Sequence, residues 1–289
     1  EHVAQYIFCY ACRFAGASPE EINRLVECAP RAVALKIYLN DTFGPLRVED
    51  VPTLMACFAN WPRDKMIAMH AEKQSVAIGI GLAAAYNRPV HFCHISRREE
   101  IELIAQAKAE GLSVTCEVTP HHLFLTDADA TRLGPLGDMR PLLGTPYDVA
   151  ALWEHLGETV DCIATDHAPH TLAEKQSATP PPGVIGLETS LPLMLTAVQQ
   201  NRLTLDRLIE LMSTNPRRIF NLPQQPDTAV TVQLTPHTIN NEMVQSKCGW
   251  TPFHGTEVAA KVQKVVLRGE VVFENGRVLA KPGSGKLLP

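Results

Sequence analysis

The sequence predicts an α/β fold built around a parallel β-sheet, and two observations support that prediction. Short apolar or β-branched runs alternate with longer amphipathic stretches, which is typical of strands joined by helical crossovers. The chain has 289 residues, 45% of them hydrophobic, which suits one large barrel or one core with a small appendage. We therefore expect one large α/β unit rather than a string of small domains.

Six runs along the first part of the chain have the length and composition of buried strands. These predicted strands are Val3–Tyr10, Ala32–Leu39, Met66–His70, Pro89–His94, Ser113–Val118 and Asp161–Asp166. Helical patterns separate them, one opening at Pro19 and the others covering Val48–Ala59, Gln74–Tyr86, Arg98–Glu110 and Asp148–Leu156. This order implies parallel strands with helical crossovers.

After residue 185 the pattern becomes helical, and from about residue 223 it changes to short strands. The predicted helices here are Leu187–Gln199, Leu205–Thr214 and a short one beginning at Asn215. Two segments alternate like strands with an exposed face, Val230–Leu234 and Lys264–Phe273. The pair Asn275-Gly276 predicts a hairpin turn. We expect residues 1–223 to form a barrel-type catalytic domain and residues 224–289 a small β appendage with an exit linker.

Composition argues against several classes of partner. The formal net charge is -5 and aromatic residues make up 6%, so no basic, aromatic-rich surface for nucleic acid is predicted. No apolar run reaches the roughly 18 residues of a membrane span. The eight cysteines, in a chain without a signal-peptide pattern, are expected to be reduced thiols of a cytoplasmic protein. The Cys9–Cys12 spacing has no second pair that would make a zinc ribbon.

Residue types that bind metals fall in or at the ends of five predicted strands. They are Lys36, His70, Cys93 with His94, Glu117 and Asp166. In a parallel barrel the carboxyl ends of the strands meet at one mouth, which holds the active site. One such residue alone is more often a helix cap or a solvated side chain. Five together would be costly to bury without metal or pairing, and imidazole with carboxylate favours zinc or a similar first-row metal.

Three further positions fall in loops next to this expected mouth. His170 follows Asp166 in Asp-His-Ala-Pro-His, so it is placed to contact a substrate. Arg140 lies in the loop after the Glu117 strand, and arginine is the natural bidentate clamp for a carboxylate, although alone it could simply be a surface residue. The run Pro180-Pro181-Pro182-Gly183 predicts a stiff loop that can present backbone groups to a ligand.

On these segments the chain resembles the amidohydrolase superfamily, and within it the dihydroorotase domain of CAD-like multifunctional pyrimidine-synthesis proteins. Single segments such as His70-Ala71-Glu72 are weak signals, whereas the ordered set is specific. The matching segments are Leu35–Phe43, His70–Glu72, Val90–His94, Cys116–Phe124, Asp166–His170, Pro180–Gly183 and Asn215–Phe220. The resemblance implies a (β/α)8 TIM-type barrel of the metal-dependent hydrolase kind.

The resemblance also implies zinc ligands. It predicts two zinc ions per site, with a third allowed in the complete protein, and a carboxylated Lys36 that bridges the pair. His70 and His94 match ligands of one zinc, and Asp166 matches both a ligand of the other and the general acid/base. The positions that match ligands of a further zinc are Cys93 and Glu117.

Substrate contacts follow from the same resemblance. Arg140, His170 and Pro182 match residues that contact the substrate carboxylate and ring. Thr42 and Phe43 match a flexible loop that closes over bound substrate and excludes water.

One departure concerns the start of the chain. The family's first barrel strand carries a His-x-His-x-Arg motif, and no His-x-His occurs in residues 1–60. A substrate-binding Asn after the second strand is also missing. Lys36 matches the fourth strand, so we expect the chain to begin two strands late, as a fragment with about six of the eight strands. A zinc held by the missing motif would lack two ligands here.

The implied reaction is the reversible cyclisation of N-carbamoyl-L-aspartate to L-dihydroorotate in de novo pyrimidine (UMP) biosynthesis. Two alternatives stay open. One is a related hydrolase of neutral cyclic amides, such as a dihydropyrimidinase or allantoinase, which the Arg140 and Pro182 segments disfavour. The other is a catalytically inactive dihydroorotase-like scaffold. The expected partners are the small-molecule substrate, a second copy in a homodimer, and fused carbamoyl-phosphate synthetase and aspartate transcarbamoylase domains.

Overall fold

The described part of the molecule, a computed structural model, comprises Glu27 and residues 29–284. It is centred on a parallel sheet of five strands that pair in chain order, β1-β2-β3-β4-β5. The strands are β1 (Ala34–Tyr38), β2 (Met66–His70), β3 (Val90–Phe92), β4 (Val114–Val118) and β5 (Cys162–Ile163). Five predicted strands are therefore confirmed. The predicted strand Val3–Tyr10, the helix opening at Pro19 and the Cys9–Cys12 pair lie outside the described residues.

Helices connect the strands and follow the sheet. They are α1 (Val51–Asn60), α2 (Gln74–Tyr86), α3 (Arg98–Ala109), α4 (Pro120–Phe124), α5 (Asp127–Leu133), α6 (Pro146–His155), α7 (Leu172–Lys175), α8 (Leu187–Gln199), α9 (Leu205–Ile209) and α10 (Asn215–Ile219). Local chemistry sets their ends. Asp50 caps α1 by accepting a hydrogen bond from the Thr53 N–H at 2.7 Å, and Asn87 ends α2 in the left-handed conformation.

The helix predictions were largely correct, with two kinds of difference. Leu205–Thr214 is not one uniform helix, because α9 ends at Ile209 and a wider π-helical turn covers Glu210–Thr214. The short helices α4, α5 and α7 were not predicted. The sequence signal for two of them is a capping box, formed by Thr126 with Asp129 and by Thr171 with Glu174.

The main apolar core lies between the parallel sheet and its helices. A second apolar cluster joins the loops beyond the strands to a later part of the chain. It contains Leu125, Met139, Leu143, Val184, Leu193, Ile239, Trp250, Phe253 and Val258. Residues 239–258 therefore pack directly on the loops at one end of the sheet. The predicted domain boundary between residues 223 and 224 stays a prediction.

A four-stranded antiparallel sheet occupies the region from residue 229 onward, in the order β11-β10-β9-β6. Its strands are β6 (Ala229–Gln233), β9 (Lys261–Leu267), β10 (Glu270–Glu274) and β11 (Arg277–Val278), and β7 (His237–Thr238) pairs separately with β8 (Glu257–Val258). The hairpin predicted at Asn275-Gly276 is confirmed. Lys264–Phe273, however, is divided by a turn at Arg268-Gly269, where both residues have positive φ. The small β7–β8 pair was not predicted.

No helix within the described ranges is long and apolar enough to cross a membrane.

The carboxylate of Asp148 ties the start of α6 to the start of α3. It accepts hydrogen bonds from the Thr145 N–H at 2.8 Å and the Arg98 N–H at 3.1 Å, and it pairs with Arg97 at 3.3 Å. Burial alone raises the pKa of Asp148, but the bonds from Thr145 and Arg98 and the charge of Arg97 outweigh it, so the pKa is lowered. The ionised form therefore stabilises the folded state.

We predict that Asp148→Asn lowers the free energy of unfolding at pH 7 by about 1–3 kcal/mol. Because the folded pKa is depressed, the stabilisation by Asp148 is fully present above the unfolded value of about 3.9 and is lost as pH falls through the folded pKa. Urea unfolding between pH 7 and pH 3 measures this, and the difference between the two proteins should shrink in acid. The exposed control Glu158→Gln should change little. A difference that grows in acid would contradict the assignment.

Candidate functional site

Lys36 occupies the middle of β1 and is buried, with only 2% of its surface exposed. Its Nζ lies 5.3 Å from the ring centroid of Tyr38 and close enough to interact with Cys93 and Glu117. Burial disfavours the ammonium, but the neighbouring Cys93, Tyr38 and Glu117 outweigh it, so the pKa of Lys36 is raised. Burial raises the pKa of the Cys93 thiol to about 12. Lys36, Cys93 and Glu117 therefore form one buried electrostatic group.

The imidazoles of His70 and His94 meet beside this group. His70 Nδ1 lies 3.0 Å from His94 Nε2, and His70 Nε2 lies 3.1 Å from Glu72 Oε1. Burial lowers the pKa of both histidines, so they are neutral. The Glu72 carboxylate accepts from His70 Nε2, which leaves a lone pair on His70 Nδ1 directed at His94. Two imidazole nitrogens that converge in this way need either a shared proton or a cation between them.

The backbone at the strand ends is strained at the two positions expected to do chemistry. His94 follows β3 with φ +38° and Asp166 follows β5 with φ +44°, both in the left-handed region. Such conformations cost about 1–3 kcal/mol each and are concentrated at functional sites. Asp166 lies three residues beyond the two-residue strand β5, so it does not close that strand as the sequence suggested. Burial raises the pKa of Asp166 to about 6, although Lys36 acts against this shift.

Glu117 is fully buried and has a partner that the sequence did not reveal. His91 Nε2 lies 3.0 Å from Glu117 Oε2, and His91 Nδ1 lies 2.8 Å from Thr115 Oγ1. Glu117 Oε1 is buried and makes no hydrogen bond to the described residues. His91 and Cys93 are two positions apart around β3, so the alternation of a strand was the signal that could have placed them on one face. Glu72, which orients His70, was also missed as a separate functional residue.

The residues predicted to recognise substrate lie in loops beyond the same strand ends. Arg140 is half-exposed, pairs with Asp138, and interacts electrostatically with Glu72. His170 lies edge-on to Phe43, with ring centroids 6.0 Å apart, and 63% of Phe43 is exposed. Thr42 is half-buried next to Phe43, and Pro182 is half-buried between Pro181 and Gly183. The loops thus place a guanidinium, an imidazole and an exposed aromatic ring around the strand ends.

Metal binding can be tested against this geometry. Within the described part of the chain, no group of three or more His, Cys, Asp or Glu side chains forms a metal site. The residues present nevertheless supply some of the donor atoms of a metal site. His70 Nδ1 and His94 Nε2 converge, Glu72 fixes the first imidazole as a carboxylate often does for a metal-binding histidine, and Glu117 has a free buried oxygen. Lys36 can join such a set only after its amine loses its charge, because an ammonium has no lone pair.

The whole chain is similar to several known proteins. No family model matches the chain. It is 49% identical over 280 residues to the multifunctional protein CAD of Squalus acanthias and 46% identical over 275 residues to the multifunctional protein pyr1-3 of Dictyostelium discoideum. These matches cover 96% and 94% of the chain but 12% of each relative. A dihydroorotase of Pyrococcus furiosus is 36% identical over 75% of the chain and 53% of its own length.

Two solved structures extend the comparison. The L-hydantoinase (dihydropyrimidinase) from Arthrobacter aurescens superposes with a TM-score of 0.86 at 25% identity, over 93% of this chain and 71% of that one. The inactive dihydroorotase-like domain of the Chaetomium thermophilum CAD-like multifunctional protein gives a TM-score of 0.77 at 31% identity, over 93% and 75%.

The class that these similarities define is the metal-dependent amidohydrolases built on a TIM-type barrel, and the five-stranded parallel sheet is part of such a barrel. Within that class, the chain belongs to the dihydroorotase family, together with the CAD-type domains.

Gly183 lies where the Pro182 loop packs closely against the Asp166–His170 loop. Its φ is +133°, and a Cβ there would lie 2.7 Å from Ala168 Cβ and 2.9 Å from Ala168 O. We predict that Gly183→Ala lowers the free energy of unfolding by about 1–3 kcal/mol, because the backbone is strained and the loops must separate. The matched control is Gly157→Ala, where the added Cβ meets no atom within 4 Å. Equal unfolding midpoints for the two variants in urea would contradict the prediction.

Proposed function

We propose that this chain forms part of a dihydroorotase site that interconverts L-dihydroorotate and N-carbamoyl-L-aspartate. The observation that carries the proposal is the meeting of two chemistries at one edge of the sheet. Buried Lys36, His70 and His94 together with half-buried Asp166 supply a metal-type set, and Arg140 beside Glu72 supplies a guanidinium for a substrate carboxylate. The similarity to dihydroorotases and to the CAD-type relatives supports the same reading.

The metal that we propose is zinc, held by Lys36 in its N6-carboxylated form, His70, His94 and Asp166. Cys93 and Glu117 are proposed ligands of a further zinc. Bound zinc supplies Lewis-acid polarisation of the ring carbonyl and a water of lowered pKa. Carboxylation converts Lys36 from a cation into an anionic oxygen donor, which accounts for a lysine in the middle of an otherwise apolar strand.

The proton steps are assigned to Asp166. In the hydrolytic direction its carboxylate accepts the proton of the attacking water, and the protonated carboxyl then donates that proton to the ring nitrogen as the amide C–N bond breaks. In the synthetic direction the same group acts in reverse. A carboxyl held beside both the attacking water and the leaving nitrogen can accept a proton from one and donate it to the other.

Substrate selection is assigned to the loops. Arg140 and His170 bind the carboxylate of dihydroorotate, and Pro182 contacts the ring. Thr42 and Phe43 close over the bound substrate, since Phe43 is exposed and already lies beside His170. Closure of an apolar ring over the site excludes bulk water.

The setting that we propose is a multifunctional pyrimidine-synthesis protein of the cytoplasm, working as a homodimer. The chain would be fused to carbamoyl-phosphate synthetase and aspartate transcarbamoylase domains. Support comes from the two relatives whose names are multifunctional and of which the chain spans 12%.

A second candidate function is an inactive dihydroorotase-like scaffold. The specific observation in its favour is the structural similarity to a domain described as inactive, at 31% identity. An enzyme acting on neutral cyclic amides is disfavoured, because Arg140 provides a positive charge that a neutral ring does not use. The hydantoinase similarity, at 25% identity, reflects the shared barrel.

Zinc content and turnover of the natural full-length polypeptide decide between enzyme and scaffold. We expect the purified protein to contain zinc and to hydrolyse L-dihydroorotate, and chelation should remove both the metal and the activity, with recovery on adding zinc. Dihydrouracil and hydantoin, which lack the carboxylate, should react much more slowly. A folded protein that neither binds zinc nor turns over would favour the scaffold. Faster reaction of the neutral rings would favour the hydantoinase-type alternative.

We further predict that Arg140→Met raises KM for dihydroorotate by about 10- to 100-fold, because a hydrogen-bonded charge pair contributes about 1.5–3 kcal/mol. Turnover of neutral rings should hardly change. Steady-state kinetics with both substrate types measure this difference. Arg132→Met, at an exposed position of α5, is the control. An equal rise in KM for charged and neutral substrates would show that Arg140 does not bind the substrate carboxylate.

A further inference from the structure

Lys175 is a fully buried lysine at the end of α7, with none of its surface exposed. Its Nζ donates to three backbone carbonyl oxygens, those of Asp138 at 3.1 Å, Pro181 at 2.9 Å and Gly183 at 3.1 Å. An ammonium has three N–H groups, so each of them has an acceptor. A buried charge is tolerated when it is hydrogen-bonded in this way.

The three carbonyls belong to the two loops that carry proposed substrate contacts. Asp138 is two residues before Arg140, and Pro181 and Gly183 flank Pro182 on either side. The Gly183 N–H also donates to the Asp138 carbonyl at 2.8 Å, so the two loops are bonded directly as well as through Lys175. The ammonium therefore sets the distance between the Arg140 loop and the Pro182 loop.

A third connection reaches His170. Lys175 Nζ lies 5.7 Å from the ring centroid of Trp250, and Trp250 Nε1 donates to the His170 carbonyl at 2.8 Å. Trp250 is itself buried in the second apolar cluster. The chain between His170 and Lys175 is short and is fixed by the Thr171–Glu174 capping box. All three proposed substrate-contact segments thus converge on one side chain that faces none of the proposed metal ligands.

We propose that Lys175 is a positioning residue that holds Arg140, His170 and Pro182 in the arrangement that selects a carboxylate-bearing cyclic amide. This inference rests on the proposed function, because it assigns a specificity role to a residue behind that site. Lys175 acts through the loop backbones and does not touch the substrate.

Lys175→Met is the principal test, since methionine fills similar space but removes the donor to the Pro181 and Gly183 carbonyls and leaves the Asp138 carbonyl with the Gly183 N–H alone. In the full-length protein, KM for dihydroorotate should rise by about 10- to 100-fold, because small misplacements of binding groups have effects of that size. The kcat for dihydroorotate and the KM for a neutral ring such as hydantoin should change far less. In the ligand-free variant, the amide hydrogen of Gly183 should exchange faster with solvent. The Asp138 carbonyl that it donates to would no longer be held by the Lys175 ammonium as well.

Two further variants separate positioning from general destabilisation. Lys108 lies on α3, away from these loops, and like Lys175 it donates to protein oxygens. Its acceptors are Thr159 O and Asp161 Oδ2, both at 2.6 Å, so Lys108→Met is the matched control. It should lower the unfolding midpoint and leave KM unchanged. Trp250→Phe removes the donor to His170 and keeps an aromatic ring, although a smaller one, in the second apolar cluster. It should raise KM for dihydroorotate with little effect on hydantoin.

The outcomes are distinct. If the parent protein hydrolyses dihydroorotate and Lys175→Met raises KM for it selectively, the proposal stands. If Lys175→Met and Lys108→Met give the same unchanged KM, Lys175 is purely structural and the proposal is overturned. If Lys175→Met does not fold, Trp250→Phe decides, and an unchanged KM there overturns the proposal. If the parent protein does not bind or hydrolyse dihydroorotate, the proposed function fails and the specificity role fails with it, whereas faster Gly183 exchange would still identify Lys175 as the link between the loops.

Discussion

The burial of ionisable side chains at one edge of a parallel sheet is the constraint on which the rest of this structure depends. Parallel pairing in chain order brings the carboxyl ends of β1 to β5 together. Lys36, His70 and Glu117 are then removed from water, and each has to find compensation. The structure provides it through Cys93 beside Lys36, Glu72 on His70, and His91 on Glu117. These partners lie on neighbouring strands or directly after them.

Two layers of structure meet at this edge, and Glu72 interacts with both, by a hydrogen bond to His70 and electrostatically with Arg140. The strand layer carries the imidazole and carboxylate groups, whose positions are fixed by a close-packed core. The loop layer carries Arg140, His170 and Pro182, which have no sheet register of their own and depend on Lys175 and Trp250 for position. Burial raises the pKa of Glu72, but its hydrogen bond to His70 and the charges of His70 and Arg140 outweigh burial, so the pKa is lowered. A group that binds at Arg140 would therefore alter the electrostatics of the His70 pair.

The sequence predicted the parts of the molecule that local pattern controls. Buried apolar runs identified β1 to β5, and α2 and α8 were predicted with their observed bounds, because strand length and helical periodicity are local properties. Metal-ligand residue types in or just beyond the predicted strands singled out Lys36, His70 and Asp166, whose role as ligands stays a prediction.

What the sequence did not predict depends on tertiary contacts. The sequence alone does not distinguish His91 and Glu72 from other polar residues, because their partners are brought close only by the fold. Lys175 is the clearest case, because its partners are three main-chain carbonyls. Every residue has a carbonyl, so the sequence does not indicate which ones a lysine will contact. The short strands β7 and β8 were missed because a two-residue pairing has no periodicity to detect.

The choice between enzyme and scaffold can be argued from cost. Burying Lys36, Glu117 and two neutral histidines, and holding His94 and Asp166 in left-handed conformations, destabilises the fold by several unfavourable contributions at once. A domain that only supports its neighbours has no use for such a set, since apolar side chains at the same positions would pack without penalty. Strained and buried polar positions persist where a bound group makes use of them. The arrangement at this sheet edge therefore supports the proposed metal and substrate site over the scaffold, even though a domain described as inactive shares the fold.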